Sequence, residues 1–153
     1  MIRFENVTKI YEDGTAALDN VTFHIEKGEF VFVVGPSGAG KSTLNRLLLH
    51  EDLPTSGQIF IDGLDVGTLK KKEIPYLPRS IGVVFQDFRL LDDRTVYENI
   101  AFAMKVVGAT RREIRRQVPT LLSVVGLSHK ARLFPTQLSR GEAQRVAVAR
   151  ALA

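Results

Sequence analysis

The chain has 153 residues, 44% of them hydrophobic and 25% charged, which is typical of a soluble globular domain with its own core. Its net charge of +4 comes from scattered Lys and Arg without interleaved aromatic residues, which argues against a nucleic-acid-binding surface. The lack of Cys excludes disulfides and thiolate metal sites. No apolar run approaches a membrane span, and the start MIRFENV is not typical of a signal peptide, so a cytoplasmic enzyme or subunit is expected.

The first third of the chain predicts an antiparallel β layer. Residues 2–7 and 21–25 alternate apolar and polar side chains, which is typical of half-buried strands. Asp13 and Gly14 between them form a strong turn signal. Residues 58–61 are a further predicted strand, which ends at an Asp-Gly pair.

A phosphate-binding loop follows a continuous apolar run. Residues 30–34 are all apolar, and such a run without alternation predicts a strand buried on both faces, as in a parallel sheet. The sequence GPSGAGKS comes next and leads into a predicted helix, which is the strand-to-helix context of a G-x-x-x-x-G-K-S motif. The predicted site residues are Gly35, Pro36, Ser37, Gly38, Ala39, Gly40, Lys41, Ser42 and Thr43.

This spacing suits a nucleoside triphosphate bound with Mg²⁺. The three glycines let successive backbone N–H groups turn toward phosphate oxygens, and the following helix presents its positive end to the same anion. Lys41 adds a charge near the β- and γ-phosphates, and Ser42 offers Mg²⁺ a hard oxygen ligand. A glycine-rich turn that binds nothing is the alternative, disfavoured because strand, loop, Lys41, Ser42 and helix are all in register.

The middle of the chain changes from strand to helix. Residues 70–72 are three lysines, which predict a solvated face, with a lipid-facing role as the alternative. Residues 81–85 are a second apolar run, predicted to be a buried strand that ends at Gln86. Residues 97–107 are apolar at helical spacing and predict the first helix of an insert.

Two capping boxes predict where the later helices begin. Thr110 is followed three residues on by Glu113, and Ser139 by Glu142. Pro119 is expected to bend the helix that follows Thr110 or to start it afresh. The helix after Ser139 is largely apolar and so predicted to be buried, and it runs to the last residue without a cap, as expected of a truncated chain.

Four features in this order resemble the nucleotide-binding domain of ABC transporters: Tyr11, GPSGAGKS, Gln86 and LSRGEAQR. The resemblance covers the whole chain. It implies an α/β P-loop NTPase fold of the ABC ATPase type, with an antiparallel β subdomain, a partial parallel-sheet core and an α-helical subdomain. The single domain, residues 1–153, would divide into a β subdomain with the phosphate loop (1–87), a helical subdomain (88–135) and a signature helix (136–153).

Within this family the opening MIRFENVTKIY and residues 86–99 are similar to the ATP-binding subunit of a bacterial cell-division complex. Lipoprotein-export and macrolide-export ATPases are the alternatives within the family. Outside it, the alternatives are a P-loop enzyme such as a kinase, which ATP-dependent dimerisation would discriminate, and a nucleotide-binding fragment without activity.

The resemblance implies a role for each site residue. Tyr11 would stack on the adenine of ATP. Lys41 and Gln86 would be the catalytic residues, and Gln86 would join Ser42 at Mg²⁺ or contact the attacking water.

Other parts of the chain would contact partners. Ser139 and Gly141 would face the γ-phosphate held by a second copy, so that ATP joins a head-to-tail homodimer. Residues 88–135 would grip a cytoplasmic helix of an integral membrane partner. This places the protein peripherally at the cytoplasmic face of the bacterial plasma membrane, with no nucleic acid among its partners.

The chain also departs from the family pattern. Arg140 stands where the signature usually has its first Gly, and it would either contact the γ-phosphate or obstruct a second copy; tolerance is favoured because Ser139 and Gly141 remain. Family members continue with strands that end in Asp-Glu and in His, and these are not found here. We therefore expect the 153-residue chain alone to leave its parallel sheet incomplete, to bind ATP weakly and to hydrolyse almost none.

Overall fold

The computed structural model describes residues 1–69 and 81–153, so the predicted lysine face at residues 70–72 lies outside the described residues. The chain divides into two compact units, Met1–Pro78 and Arg79–Ala153. Residues 81–87, which the sequence grouped with the β subdomain, belong to the second of these units. Among the described helices, none has the length and apolar character needed to cross a membrane.

The first unit is built on a four-stranded antiparallel sheet in the order β2-β1-β3-β4. The three predicted strands are confirmed and extended, and a short fourth strand follows them. Their bounds are β1 Ile2–Ile10, β2 Ala16–Ile25, β3 Ser56–Ile61 and β4 Leu64–Asp65. The predicted turn at Asp13 and Gly14 joins β1 to β2, with Gly14 at φ 82°. The described part of this unit also contains helix α1, Lys41–Leu48, and a 3₁₀ turn at Val66–Thr68.

A bulge in β1 sets which side chains enter the core of the first unit. Phe4 pairs with Phe23 of β2 and Ile59 of β3, but the register shifts before Val7. Asn6 lies in this interval at φ 49°, and the extra residue lets Phe4 and Val7 both be fully buried although they are three positions apart. The strand therefore keeps one apolar face despite its broken alternation.

The two continuous apolar runs, residues 30–34 and 81–85, do not form strands in the structure. Phe30 is 83% exposed and Val34 is 85% exposed. The prediction of two buried parallel strands is therefore wrong for the described residues, where no strand pairs with either run. An apolar run indicates that a strand, if one forms there, would be buried. Forming the strand also requires a neighbouring strand that binds its N–H and C=O groups.

The second unit is helical. Helices α2, α3 and α4 span Val96–Val106, Arg111–Val124 and Arg140–Ala151, with 3₁₀ turns at Ser128–Lys130 and Pro135–Gln137. The predicted capping boxes at the starts of α3 and α4 are confirmed, and a third joins Thr95 to Glu98 at the start of α2. Helix α3 is continuous through Pro119, so the predicted restart is wrong.

Packing explains why α3 tolerates its proline. Val118 and Leu122 on either side of Pro119 are buried in the core shared by the three helices, and each such side chain contributes about 1.5–3 kcal/mol. This outweighs the single backbone hydrogen bond that Pro119 cannot make. The buried apolar residues of this core are Val96, Ile100, Ala101, Met104, Ile114, Val118, Leu122, Leu127, Val146 and Ala149.

Candidate nucleotide-binding site

The predicted phosphate loop is held against β2 by Gly40. Gly38 and Gly40 have φ of 82° and 81°, a conformation that favours glycine. Gly40 is also buried, and a Cβ atom there would lie 2.3 Å from the carbonyl oxygen of Ala17 and 2.9 Å from the Leu18 side chain. The loop therefore reaches the start of α1 by a close approach to β2 that admits no side chain at residue 40.

Lys41 folds back over the loop. Its Nζ donates hydrogen bonds to the carbonyl oxygens of Gly35, at 2.8 Å, and Pro36, at 2.6 Å. The ammonium group is thus held above the residues whose backbone would surround a phosphate. A polyphosphate bound there would be attracted by the positive charge of the ammonium group and would accept hydrogen bonds from it.

The first turn of α1 is arranged for an anion. Gly40 is the N-cap and provides no capping side chain, and the first turn, which is fully described, holds no acidic residue. The first N–H groups of a helix have no partner within it, so a phosphate oxygen can accept their hydrogen bonds and interact with the positive helix end. Ser42, in this turn, is exposed and can reach a bound ligand.

Tyr11 is fixed between β1 and α1. Its hydroxyl lies 3.2 Å from the hydroxyl of the buried Thr43, and the Lys9 ammonium lies 5.2 Å from its ring centroid. Lys9 in turn donates to Asp52 at 2.5 Å, and this hydrogen bond is the main reason why the pKa of Asp52 is lowered. The aromatic ring predicted to stack on a base is therefore anchored to the helix that carries the phosphate site.

The residues near the loop fit a magnesium ion that is bound mainly through the nucleotide. Ser42 would supply one hydroxyl, and Mg²⁺ commonly completes its octahedron with phosphate oxygens and water. Within residues 1–69 and 81–153, no group of three or more His, Asp or Glu side chains is placed to hold a metal alone. The second predicted ligand, Gln86, belongs to the other compact unit.

Gln86 is exposed in a turn of the second unit. The backbone N–H of Phe88 donates to the carbonyl oxygen of Phe85 at 3.0 Å and closes this turn. Phe88 and Arg89 follow with φ of 61° and 44°, values that residues other than glycine rarely adopt. The Arg89 guanidinium lies 4.0 Å above the Phe85 ring and 3.5 Å from an Asp87 carboxylate oxygen.

The signature residues lie at the N-terminus of α4. Ser139 is the N-cap, and its hydroxyl accepts a hydrogen bond from the backbone N–H of Glu142 at 3.4 Å. Ser139, Arg140 and Gly141 are all exposed. Lys130 binds Glu142 at 2.6 Å, and this contact, with hydrogen bonds from Ser139, lowers the pKa of Glu142 to about 2.

The structure groups some predicted site residues and separates others. The first unit brings Tyr11, the phosphate loop and Lys41 to Thr43 together. In the second unit, Ser139 and Gln86 lie at opposite ends of α4, because Ser139 caps its start while Arg150, in its last turn, contacts the backbone just after Gln86. Sequence reasoning did not identify Arg150, since no spacing pattern marks such a contact.

The comparisons with known proteins agree with this geometry. A family model described as ABC transporter matches residues 18–153. The chain is similar to the protein named cell division ATP-binding protein FtsE of Bacillus subtilis (strain 168), at 52% identity over 99% of this chain and 67% of the relative. The same-named protein of Escherichia coli (strain K12) is 51% identical over 99% of this chain and 68% of the relative. The chain thus spans about two thirds of their length.

Solved structures show the same similarity. The dimeric bacterial ABC transporter cassette MJ0796 matches with a TM-score of 0.89 and 39% identity, over 100% of this chain and 69% of that one. A dimeric post-hydrolysis state of MJ0796 bound to ADP and Pi matches with a TM-score of 0.89 and 38% identity, over the same shares of both chains.

The fold and the phosphate loop together define a P-loop ATP-binding domain of the α/β class. More specifically, the chain belongs to the ABC transporter family.

Proposed function

We propose that this chain is the ATP-binding part of an ABC-type membrane complex that acts in bacterial cell division. The observation that carries the proposal is the Lys41 ammonium held over the carbonyl groups of Gly35 and Pro36 at the start of an uncapped helix. The cell-division role is supported by the names of the relatives, which are about 51% identical over nearly the whole chain. A role in lipoprotein or macrolide export is the alternative within the family.

In this proposal the predicted site residues have different roles toward ATP. The phosphate loop and Lys41 bind the triphosphate, Ser42 holds Mg²⁺, and Tyr11 stacks on adenine. Mg²⁺ would neutralise charge on the phosphates, and Gln86 would orient the attacking water. The chain spans about two thirds of the length of these relatives, and hydrolysis is proposed for the full-length protein.

The proposed assembly is a head-to-tail homodimer closed by ATP. Ser139 and Gly141 are exposed at the N-terminus of α4, where a γ-phosphate held by a second copy could accept hydrogen bonds. The dimeric form of the MJ0796 cassette supports dimerisation. Arg140 lies on the same exposed turn and adds a positive charge there, so it is compatible with the trans contact.

We place the contact with an integral membrane partner, of the FtsX type, on the helical insert. Helices α2 and α3 border a groove of about 380 Å³ with an apolar floor and a basic rim. Such a groove suits a short amphipathic helix with acidic residues. Its apolar residues include Tyr97, Phe102 and Ile114, and its basic residues include Lys105, Arg111 and Arg115. The protein would then lie peripherally at the cytoplasmic face of the plasma membrane.

Binding of Mg-ATP to the full-length protein tests the proposed function. Lys41→Ala should weaken binding of a fluorescent ATP analogue at least about hundredfold, because the charge at the triphosphate is lost. Lys27→Ala removes an exposed lysine of the same unit and is the matched control. Equal affinities of the two variants would contradict the proposal.

A second experiment tests the assignment to cell division. The full-length protein is co-expressed with an FtsX-type membrane protein or with a lipoprotein-export membrane partner, and the retained complex is measured. Arg115→Glu in the groove should reduce recovery with the FtsX-type protein, whereas Arg112→Glu, exposed on α3, should not. Recovery only with the export partner would favour the alternative.

A further inference from the structure

Arg150 binds the backbone that directly follows Gln86. Its Nη1 donates to the carbonyl oxygen of Arg89, and its Nη2 donates to the carbonyl oxygen of Phe88, each at 2.6 Å. The planar guanidinium presents two parallel N–H donors to two successive carbonyl groups, which a lysine ammonium cannot match. A single side chain of α4 thus fixes two consecutive residues of the Gln86 turn.

Those two residues have an unusual backbone conformation. Phe88 and Arg89 have φ of 61° and 44°, and neither is glycine. Such conformations persist only where the surrounding structure holds them, and they are enriched at switch regions and ligand sites. Two hydrogen bonds from Arg150 reach this strained segment from outside the turn.

The other side of the Gln86 turn also contacts the last turn of α4. A Cβ atom at Gly82 would lie 2.1 Å from the carbonyl oxygen of Ala151, so the backbone at residue 82 packs directly on the helix end. Gln86 itself is exposed between these two anchor points. Segment 82–89 is therefore attached to α4 on both sides of the residue that would face Mg²⁺.

The same helix begins at the signature Ser139. Helix α4 has 12 residues, so about 17 Å separates its two ends. Its start is tied to the 3₁₀ turn Ser128–Lys130 by the ion pair of Lys130 with Glu142, and its end is tied to segment 82–89 by Arg150. A rigid helix anchored at both ends can transmit a displacement from one end to the other.

We propose that Arg150 is a positioning residue, which fixes the Gln86 turn to α4 so that Gln86 and the signature Ser139 respond together to ATP. The inference rests on the proposed function for the roles of Gln86 and Ser139. The contacts of Arg150 favour this role over general stabilisation of the unit. Both of its bonded donors bind the Gln86 turn, and within the described residues it forms no salt bridge with a carboxylate.

Hydrogen exchange of the full-length protein tests the positioning role directly. In Arg150→Met, backbone amides of residues 85–89 should exchange about ten- to a hundredfold faster, as expected when two charge-assisted hydrogen bonds are lost. Arg150→Lys keeps the charge but not the fork and should give a smaller increase. Arg132→Met, an exposed arginine of the same unit, is the control and should leave exchange unchanged.

Nucleotide measurements separate positioning from folding. The positioning role predicts that Arg150→Lys binds Mg-ATP within about twofold of the unchanged protein, because the phosphate loop is intact, but loses at least about tenfold in turnover. Unchanged exchange at residues 85–89 in both Arg150 variants would overturn the inference. Equal acceleration throughout α2 and α3 would also overturn it, since that indicates general destabilisation.

The two proposals fail in different ways. If Arg150→Met does not fold, as judged by circular dichroism, Arg150→Lys decides the test on its own. ATP binding that is insensitive to Lys41→Ala would contradict the proposed function, whereas the exchange of residues 85–89 requires no nucleotide. Fast exchange at these residues in the unchanged protein would overturn the positioning role even with ATP binding intact.

Discussion

The hydroxyl group of Tyr11 lies 3.2 Å from the hydroxyl group of Thr43. This contact joins the turn after β1 to the first turn of α1, and Thr43 is only 7% exposed. The residue predicted to stack on adenine is therefore connected to the helix that begins at the phosphate loop. A change at Tyr11 can act on the nucleotide site through its ring or through its hydroxyl.

Two substitutions at Tyr11 should separate these contributions. Tyr11→Phe keeps the ring and should leave ATP affinity within about twofold, while the lost hydroxyl contact lowers the free energy of unfolding by about 1 kcal/mol. Tyr11→Ala removes the stacking surface and should weaken ATP binding about tenfold, corresponding to about 1.4 kcal/mol. Titration with ATP and GTP measures both effects, and GTP should bind comparably because stacking tolerates either base. Equal ATP affinities for Tyr11→Ala and Tyr11→Phe would contradict the stacking role.

A pair of glycine substitutions should distinguish backbone conformation from close packing. Gly38→Ala and Gly40→Ala both place a Cβ at φ near 80°, which costs about 1–2 kcal/mol. Only at Gly40 does the new atom meet the Ala17 carbonyl oxygen, whereas the space at Gly38 is open within 4 Å. We expect Gly40→Ala to lower the denaturant midpoint more and to displace α1. Similar denaturant midpoints for the two variants would show that the close approach of residue 40 to β2 does not contribute to stability.

The buried side chain of Asn99 should be essential to the start of α2. Its Nδ2 donates to the carbonyl oxygens of Leu91, Arg94 and Thr95, and its Oδ1 accepts from the N–H of Leu91. Asn99→Leu leaves the Leu91 N–H and the Arg94 carbonyl oxygen without this partner, whereas the other two carbonyl oxygens keep backbone donors. The substitution should lower the free energy of unfolding by about 3 kcal/mol. Gln117→Leu, exposed on α3, is the control and should change it by less than about 0.5 kcal/mol. Chemical denaturation measures both.

Asn99→Asp provides a sharper test of the same network. The carboxylate can still accept from the Leu91 N–H, but it cannot donate to the three carbonyl oxygens. We expect it to be destabilising near neutral pH and less so in acid, where a protonated carboxyl group regains one donor. A stability equal to that of the unchanged protein would contradict the network.

The ion pair between Glu142 and Lys130 predicts an acid-dependent contribution to stability. The hydrogen bond from Lys130, followed by those from Ser139, lowers the pKa of Glu142 from 4.5 to about 2 in the folded state. Since the folded-state pKa is the lower one, the contribution is fully present above pH 4.5 and is lost as the pH falls toward about 2. The melting temperature of Glu142→Gln should thus lie below that of the unchanged protein near neutral pH and converge with it in acid.

Lys130→Met is the matched control for this pH dependence. It removes the other partner of the ion pair, so the melting-temperature difference between Glu142→Gln and its parent should be smaller in the Lys130→Met background. Glu142→Gln keeps an oxygen for the Ser139 N–H, so the capping box is retained and the comparison isolates the charge. A melting-temperature difference that stays constant between pH 2 and pH 6 would contradict the assignment of the shift to Glu142.

The local signals in the sequence were the most reliable predictions of structure. The capping boxes at Thr110 and Ser139 were confirmed because each depends on residues three positions apart that bind each other's backbone. The turn at Gly14 was confirmed for the same local reason. The predicted restart at Pro119 was wrong because the packing of α3, which overrides the missing hydrogen bond, involves residues from other helices.

The sequence by itself determined the parts of the site that depend on spacing along the chain. These are the glycine positions, Lys41 and the helix after the loop, because a backbone that surrounds a phosphate requires them in this order. Only the tertiary structure decided how that cradle is supported, because the approach of Gly40 to Ala17 and the Tyr11–Thr43 contact join residues distant in the chain. The same reason applies to Arg150 and its contacts with Phe88 and Arg89. The two apolar runs, residues 30–34 and 81–85, show the limit most clearly, since apolarity is written in the sequence but a strand also requires a neighbouring strand.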